Sequence, residues 1–185
     1  MGVVLYGGAF DPPHLGHVAV ADAARERFGV DRLVIVVAEQ PAHRTVVASA
    51  QDRLALARAA FPRDDVRLDP HSRTVELLRA ESFDDPVFVV GADQFLGFLA
   101  WAEPEEVLER TRLAVATRPG YPQRELDDVL AQLARPERVV FFEIEPNPAA
   151  STEVRALVAA SSGLVGQLVP PAVARLIEER GLYRP

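Results

Sequence analysis

Six short runs of apolar, mostly β-branched residues constrain the fold of this 185-residue chain more than any other feature. Most of the runs are continuously apolar, which is typical of strands covered on both faces of a parallel sheet. Segments with apolar residues at helical spacing lie between them. The runs cover residues 3–6, 32–38, 66–69, 87–91, 113–117 and 139–144, and the helical segments cover residues 14–28, 49–61, 74–82, 103–111 and 125–133. This order predicts an α/β fold, an open doubly wound parallel sheet with right-handed crossovers.

Two more helical segments follow the last run, at residues 152–160 and 171–180. The second begins at a proline and is followed by Gly181, which favour the start and the end of a helix. For a chain of this length we expect one domain over residues 1–185, with an α/β core over 1–149 and a helical tail over 150–185. Ligands of such sheets bind outside the carboxyl ends of the strands, so the candidate site residues are expected there.

Composition excludes several classes of function. Acidic residues outnumber basic ones by 27 to 20, and the net charge of −7 argues against a nucleic-acid polymer or an anionic membrane as a partner. The chain contains no cysteine, and all 20 basic residues are arginines. Chemistry that needs a thiolate or a lysine amine is therefore excluded, and the cations available to bind phosphate are arginine and histidine. No segment approaches the ~20 apolar residues of a membrane span or the pattern of a secretion signal, so we expect a cytoplasmic protein.

The segment GGAFDPPHLGH, residues 7–17, connects the first strand to the first helix. Its spacing is not that of the GxGxxG dinucleotide motif. Gly7 and Gly8 are expected to let the backbone approach a ligand closely. His14 and His17 are spaced to share one face at the N-terminus of the helix, where unpaired backbone amides attract an anion. The segment therefore indicates a phosphate site.

Two other interpretations of the histidine pair stay open. The rings of His14 and His17 are candidates for hydrogen bonds inside a purely structural turn. They are also candidate ligands of a transition metal, with Asp11 or Asp93 completing the site, as in a metal-dependent hydrolase.

The same segment resembles the HxGH signature of nucleotidyltransferases, and in particular the opening of the bacterial nicotinate-nucleotide adenylyltransferases. The similarity runs over nearly the whole chain. Further matches are QPAHR at 40–44, Arg53, GAD at 91–93, Trp101, RPGY at 118–121, STEVR at 151–155 and GLY at 181–183. The resemblance implies a Rossmann-like nucleotidyltransferase fold. It also implies Mg²⁺-dependent transfer of an adenylyl group from ATP to nicotinate mononucleotide, giving nicotinate adenine dinucleotide and pyrophosphate in NAD biosynthesis.

The resemblance also implies which residues act. The implied catalytic residues are His14, His17 and Arg155. The residues implied to bind ATP are Gly7, Gly8, Phe10, His14, His17, Gly91, Asp93, Arg118, Ser151, Thr152 and Arg155. Those implied to bind the mononucleotide are Ala9, His43, Arg44, Thr74 and Trp101. No residue is implied as a metal ligand, since Mg²⁺ would be held by substrate phosphates and water.

A structural role competes with the functional one at several of these positions. Ser151 and Thr152 are candidate helix caps as well as phosphate ligands. Asp93, expected to bind ribose hydroxyls, is also a candidate cap, and Arg118 lies in a Pro-Gly turn. Trp101, which by resemblance stacks on the pyridine ring, is also a candidate core residue.

The acceptor side departs from the family pattern. Residues 71–78 read HSRTVELL where the family has a segment resembling PSYTxDTL, so Arg73 replaces an aromatic residue and Glu76 an aspartate. Ala102 follows Trp101 where an aromatic residue is common. Nicotinamide mononucleotide, another phosphomonoester such as phosphopantetheine, and a non-catalytic nucleotide sensor therefore stay open as alternatives. The oligomeric state, including a homo-oligomer, is also open.

Overall fold

A computed structural model of the chain describes residues 2–41 and 45–184. Its sheet has six strands. They are β1 (Val4–Gly8), β2 (Val34–Ala38), β3 (Asp65–Asp69), β4 (Val87–Gly91), β5 (Arg112–Thr117) and β6 (Val139–Glu143). The predicted strands are all present, and most of their ends agree to within two residues.

Helices connect the strands and follow the last one. Within the described ranges the α-helices are α1 (Leu15–Phe28), α2 (Ala50–Ala60), α3 (Thr74–Ala80), α4 (Ala92–Leu96), α5 (Pro104–Arg110), α6 (Gln123–Leu130), α7 (Ser151–Ala159) and α8 (Pro171–Glu179). Short 3₁₀ segments cover Phe98–Ala100, Pro136–Arg138 and Gly163–Gln167. Neither α4 nor the 3₁₀ segments were predicted from the sequence, because α4 follows β4 without a loop and is too short to show a helical period.

The strand order is β3-β2-β1-β4-β5-β6, and every neighbouring pair is parallel. The order reverses between β1 and β4, where Val4 lies opposite Val87 and Tyr6 lies opposite Val89. A crevice at the carboxyl ends of these two strands is the expected ligand site of such a sheet.

The core consists of two layers, one on each face of the sheet. Successive side chains of a strand point to opposite faces, so Val4 and Tyr6 of β1 join the first layer while Leu5 joins the second. The first layer packs α1, α2, α7 and α8 against the sheet, and the second packs α3, α4, α5 and α6. Burial on both faces explains why the strands are continuously apolar.

The C-terminal helices pack into the first layer. Val154 and Val158 of α7 and Val173 and Ile177 of α8 are buried in the same cluster as the residues of α1 and α2. The predicted helical tail is therefore part of the wall over one face of the sheet. None of the helices in the described ranges is long and apolar enough to cross a membrane.

Candidate active site

The connection between β1 and α1 lies at the reversal point of the strand order. We call residues 9–17 the histidine turn. Its first part is held by Phe10, which is buried, has a positive φ of 50°, and packs its ring edge-on against Tyr6 and Phe61. Because the side chain of Phe10 lies in the core, only its backbone is available to a ligand.

Two glycines among residues 7–17 lie where a side chain would crowd a neighbouring ring. A Cβ on Gly7 would lie 2.7 Å from the ring of Phe88 on the neighbouring strand β4. A Cβ on Gly16 would lie 3.0 Å from the imidazole of His14. The structure thus adds to the sequence interpretation: Gly7 lets two strands pack closely, and Gly16 makes room for a histidine ring.

The two histidines lie against each other at the start of α1. His14 is the residue that precedes the helix, and its ring centroid is 3.8 Å from that of His17. The backbone N–H of His14 donates to Nδ1 of His17 at 3.2 Å. Because Nδ1 accepts this bond, the neutral form of His17 carries its proton on Nε2.

Burial makes His14 a neutral group. It lowers the pKa of His14 from 6.5 to about 4, so the ring is uncharged near pH 7. Nδ1 of His14 is buried and has no hydrogen-bond partner in the described structure. A buried polar atom without a protein partner is costly unless a water or a ligand completes its hydrogen bond.

The start of α7 packs against the histidine turn. The hydroxyl of Ser151 donates to the carbonyl of Pro12 at 2.9 Å. Nη1 of Arg155 donates to the carbonyl of Asp11 at 2.6 Å, and its Nη2 contacts the hydroxyl of Thr152 at 3.3 Å. The N-terminal ends of α1 and α7 therefore meet at one turn together with a guanidinium. The amides of α1 are less available than expected, because the N–H of Leu15 donates to the carbonyl of Leu168 and that of His17 to the carbonyl of His14.

The cap interpretation of Ser151 and Thr152 is wrong. The residue that precedes α7 is Ala150, whose backbone is extended at φ −133° and ψ 142°, and no side chain caps the helix. Ser151 is the first helical residue, and its hydroxyl is used in a contact between distant segments. Sequence reasoning could not see this contact, because its partner Pro12 is 139 residues away.

Arg53 of α2 supports the histidine turn from below. Its guanidinium is fully buried. It donates to the carbonyls of Ala9 at 2.9 Å, Ala38 at 2.6 Å, Glu39 at 2.8 Å and Ala48 at 3.3 Å. One side chain therefore joins the ends of β1 and β2 to the start of α2. In the sequence, Arg53 was recognisable only as a match to the family pattern.

Asp93 and Arg118 lie at the ends of β4 and β5. The hydroxyl of Tyr121 donates to Asp93 at 2.9 Å, and the guanidinium of Arg118 lies 6.0 Å from the ring of Tyr121. Gly91 precedes α4, so the interpretation of Asp93 as a helix cap is wrong. The N–H of Tyr121 bonds to the carbonyl of Arg118 at 3.0 Å, with Gly120 at φ 79°, so RPGY does form a turn.

Tyr121, like Arg53, was assigned no role of its own from the sequence, although it contacts Asp93 at the ends of β4 and β5. Burial and the bond to Asp93 raise the pKa of Tyr121 to about 12, so the phenol stays protonated and remains a donor. Its place in the RPGY match was the available signal.

Of the residues expected to bind the acceptor, Ala9 lies in the histidine turn, whereas Thr74 and Trp101 lie on segments that pack into the second core layer. Trp101 is half-buried and packs edge-on against Phe98 at 5.2 Å, in the second core layer and thus on the opposite face from α1. Thr74 is the first residue of α3. His43 and Arg44 lie outside the described residues, and the structure does not test their assignment.

Asp11, proposed above as a metal ligand, has other partners. Its carboxylate accepts the backbone N–H groups of Val47 and Ala48 and the hydroxyl of Tyr183. Across residues 2–41 and 45–184, no group of three or more His, Asp or Glu side chains is arranged to hold a metal ion.

Comparison with known proteins places this geometry in a family. Residues 5–157 match the model of the cytidylyltransferase-like family. A relative from Rubrobacter xylanophilus is 33% identical over 199 residues, which cover 100% of this chain and 92% of the relative. A relative from Thermus thermophilus is 35% identical over 196 residues and covers 100% of both chains. Each of the two carries the name "probable nicotinate-nucleotide adenylyltransferase".

Solved structures show the same fold. The nicotinic acid mononucleotide adenylyltransferase of Plasmodium falciparum, complexed with NaAD, has a TM-score of 0.79 at 15% identity, over 98% of this chain and 96% of that chain. The same enzyme complexed with APC has a TM-score of 0.77. These likenesses concern the fold alone and confirm the predicted nucleotidyltransferase-like α/β sheet.

The parallel sheet and the histidine turn at its reversal point define a nucleotidyltransferase, and the chain belongs to the cytidylyltransferase-like family. The relatives above, which match over the full length of the chain, specify a narrower group than the family model does. Within that family, the chain belongs to the nicotinate-nucleotide adenylyltransferases, which confirms the resemblance carried by its motifs.

Proposed function

We propose that the chain transfers the adenylyl group of ATP to nicotinate mononucleotide, giving nicotinate adenine dinucleotide and pyrophosphate in NAD biosynthesis. One observation carries the proposal: His14, His17 and Arg155 converge on a single turn at the reversal point of the sheet. Full-length similarity to relatives named for this reaction supports the choice of acceptor.

The attacking group in this reaction is the phosphate of the mononucleotide. One of its oxygens forms a bond to the α-phosphorus of ATP, and the bond from that phosphorus to the oxygen of the β-phosphate breaks. Such an oxygen is already ionised near pH 7, so the chain needs to orient it and to stabilise charge. His14, which is neutral near pH 7, can help to orient the phosphate by a hydrogen bond. It need not act as a base, because the attacking oxygen carries no proton to remove.

In the proposal each group near the turn binds one part of ATP. His14 and His17 bind the phosphates, and Nε2–H of His17 donates to the α-phosphate, where negative charge develops. Arg155 binds the β- and γ-phosphates together with Ser151, Thr152 and the amides at the start of α7. The backbone of Gly7, Gly8 and Phe10 lies against the nucleotide.

The other assigned residues form the two ends of the site. Asp93, next to Gly91, accepts the ribose hydroxyls, and Arg118 lies beside the adenosine. Ala9, His43, Arg44, Thr74 and Trp101 are assigned to the mononucleotide, with Trp101 stacking on its pyridine ring. In this assignment the reacting atoms meet above β1 and β4.

We propose that Mg²⁺ enters with ATP. The turn offers imidazoles, a guanidinium and backbone amides, which bind anions, and the Asp11 carboxylate is engaged by N–H and O–H donors. Mg²⁺ therefore fits here as an ion carried on phosphate oxygens, where it supplies neutralising charge.

The remaining expectations belong to the same proposal. The chain acts as one domain, which the packing of α7 and α8 into the first core layer supports. Its partners are nucleotides, and its net charge of −7 disfavours a nucleic-acid polymer. Nucleotide substrates are consistent with a cytoplasmic location.

The test is pyrophosphate release from ATP and Mg²⁺ with different acceptors. Wild-type protein receives nicotinate mononucleotide, nicotinamide mononucleotide, phosphopantetheine or no acceptor, and a parallel preparation of His17→Ala controls for contaminating enzymes. We expect release with nicotinate mononucleotide that is lost in the variant and on chelation of Mg²⁺. Release only with another acceptor would replace the proposed substrate, and ATP binding without release would indicate a nucleotide sensor.

A further inference from the structure

Asp11 connects three segments that are distant in sequence. Asp11 is only 4% exposed to solvent. Oδ2 accepts the N–H of Val47 at 2.6 Å, and Oδ1 accepts the N–H of Ala48 at 3.1 Å. Oδ1 also accepts the hydroxyl of Tyr183, which lies 172 residues away, at 2.8 Å. The histidine turn, the segment before α2 and the end of the described chain therefore meet at one carboxylate.

Arg155 stands next to this carboxylate but bonds to a different oxygen of the same residue. Its Nη1 donates to the backbone carbonyl of Asp11 at 2.6 Å, whereas the distance from Nη1 to Oδ2 is 3.9 Å. A small movement would exchange the carbonyl contact for a direct ion pair. Either contact occupies Nη1, but an ion pair with a buried carboxylate also neutralises the guanidinium charge that would attract a phosphate.

Tyr183 donates a hydrogen bond to the Asp11 carboxylate. This bond reduces the tendency of the carboxylate to pair with Arg155. Burial, and after it the neighbouring Asp11, raise the pKa of Tyr183 far above its ordinary value, so the hydroxyl keeps its proton. The backbone of Tyr183 has a φ of 62°, a conformation that bulky residues rarely adopt. Contacts of the side chain therefore hold this residue in place.

The C-terminal segment has a second link to the body of the protein. Arg180, at the end of α8, pairs with Asp52 of α2 at 2.7 Å on the surface. This ion pair does not involve Asp11 or Arg155. It offers a control that loosens the same segment without touching the buried carboxylate.

We propose that Tyr183 is a positioning residue of the phosphate site: its hydroxyl satisfies Asp11 and so keeps the guanidinium of Arg155 available for the phosphates of ATP. The inference rests on the proposed role of Arg155 in binding ATP. Nothing in this role requires Tyr183 to touch a substrate.

The experiment measures ATP binding directly, in the presence of Mg²⁺ and the absence of any acceptor, by isothermal titration. The proteins are the wild type, Tyr183→Phe, Arg180→Gln, Arg155→Gln and the double variant Tyr183→Phe/Arg155→Gln. We expect Tyr183→Phe to weaken ATP binding about fivefold, since residues that act through another group shift affinities by such factors. Arg180→Gln should bind ATP like the wild type.

The double variant distinguishes positioning from general loosening. If Tyr183 acts through Arg155, its loss changes nothing further once Arg155 is gone, so the double variant binds ATP like Arg155→Gln alone. A steady-state assay should show the same split, with a raised KM for ATP and an unchanged KM for the mononucleotide in Tyr183→Phe.

Several results would overturn the inference. They are ATP binding by Tyr183→Phe equal to that of the wild type, an equal loss in Arg180→Gln, an additive loss in the double variant, and failure of Tyr183→Phe to fold. Because the titration contains no acceptor, a wild-type protein that binds ATP but does not use nicotinate mononucleotide would defeat the proposed function and leave this inference standing.

Discussion

The histidine turn and the acceptor region are built differently. We define the acceptor region as residues 71–78 with Trp101 and Ala102. In the turn, residues 10–13 are buried and the two histidines are half-buried, and side chains from α2, α7 and the C-terminal segment bond to it. In the acceptor region Val75, Leu77 and Leu78 are buried in the core. The positions that depart from the family pattern are less buried: Arg73 is exposed, and Glu76 and Ala102 are half-buried.

This difference fits the departures from the family pattern that are expected from the sequence on the acceptor side. A buried network tolerates few changes, because each lost partner leaves a polar group without a hydrogen bond. An exposed position can change with little cost in stability. In the proposed assignment, the phosphate side is therefore constrained by folding as well as by chemistry, whereas the exposed Arg73 of the acceptor region can change at little cost in stability.

The largest effect is expected beneath the turn. Arg53→Met removes the buried donor of hydrogen bonds to four backbone carbonyls and should lower the free energy of unfolding by about 3 to 5 kcal/mol. Urea unfolding followed by circular dichroism measures it. The control is Arg58→Met on the same helix, whose exposed side chain makes one long contact with the carbonyl of Val66 and should matter little.

His17→Ala tests the chemistry of the turn. We expect kcat to fall by about two to three orders of magnitude, since the contact is made to charge that develops in the transition state. The KM for ATP should change by less than about threefold. His17→Gln, which retains an N–H donor, should recover part of the rate, and His71→Ala in the acceptor region should keep most of it. Near wild-type turnover of His17→Ala would remove His17 from the mechanism.

His14 should make the stability of the fold depend on pH. Folding lowers the pKa of His14 from 6.5 to about 4. Between pH 6.5 and about pH 4, His14 is therefore protonated in the unfolded chain and neutral in the folded chain. The free energy of unfolding should therefore decrease as the pH falls through this window, by at most about 3 kcal/mol from this group.

His14→Asn should reduce that decrease. Urea titrations at several pH values would show curves for the variant and the wild type that run parallel above pH 7 and diverge below it. Equal slopes throughout the window would mean that the His14 imidazole is solvated in the folded protein.

The smallest effect is expected in the acceptor region. Ala102→Tyr places an aromatic residue beside Trp101, as is common in the family. In proteins, one added stacking contact typically contributes about 1 kcal/mol. The KM for the mononucleotide should fall less than about fivefold, with no change in the KM for ATP. Ala131→Tyr, at an exposed position after α6, is the matched control. A change in kcat of a hundredfold would show that the two regions are coupled more tightly than their packing indicates.

Much of the architecture could be predicted from local patterns. The continuous apolar runs predicted all six strands, since a strand covered on both faces has no polar side to interrupt it. α4 escaped detection because Ala92–Leu96 is shorter than two helical turns and directly continues a strand. Ser151 was misassigned as a cap, because the sequence cannot say which residue keeps the extended backbone that precedes a helix.

By itself the sequence determined the class of fold, the place of the histidine turn and the chemistry its residues can perform, because these depend on neighbours along the chain. Only the tertiary structure decided that Arg53 is buried beneath the turn, that Asp11 serves as a hydrogen-bond acceptor, and that Tyr183 reaches it from the far end of the chain. These contacts join segments brought together by the strand order and by packing on one face of the sheet. The periodicity of a local segment cannot predict such contacts, because the burial of a residue and its hydrogen-bond partners depend on the whole fold.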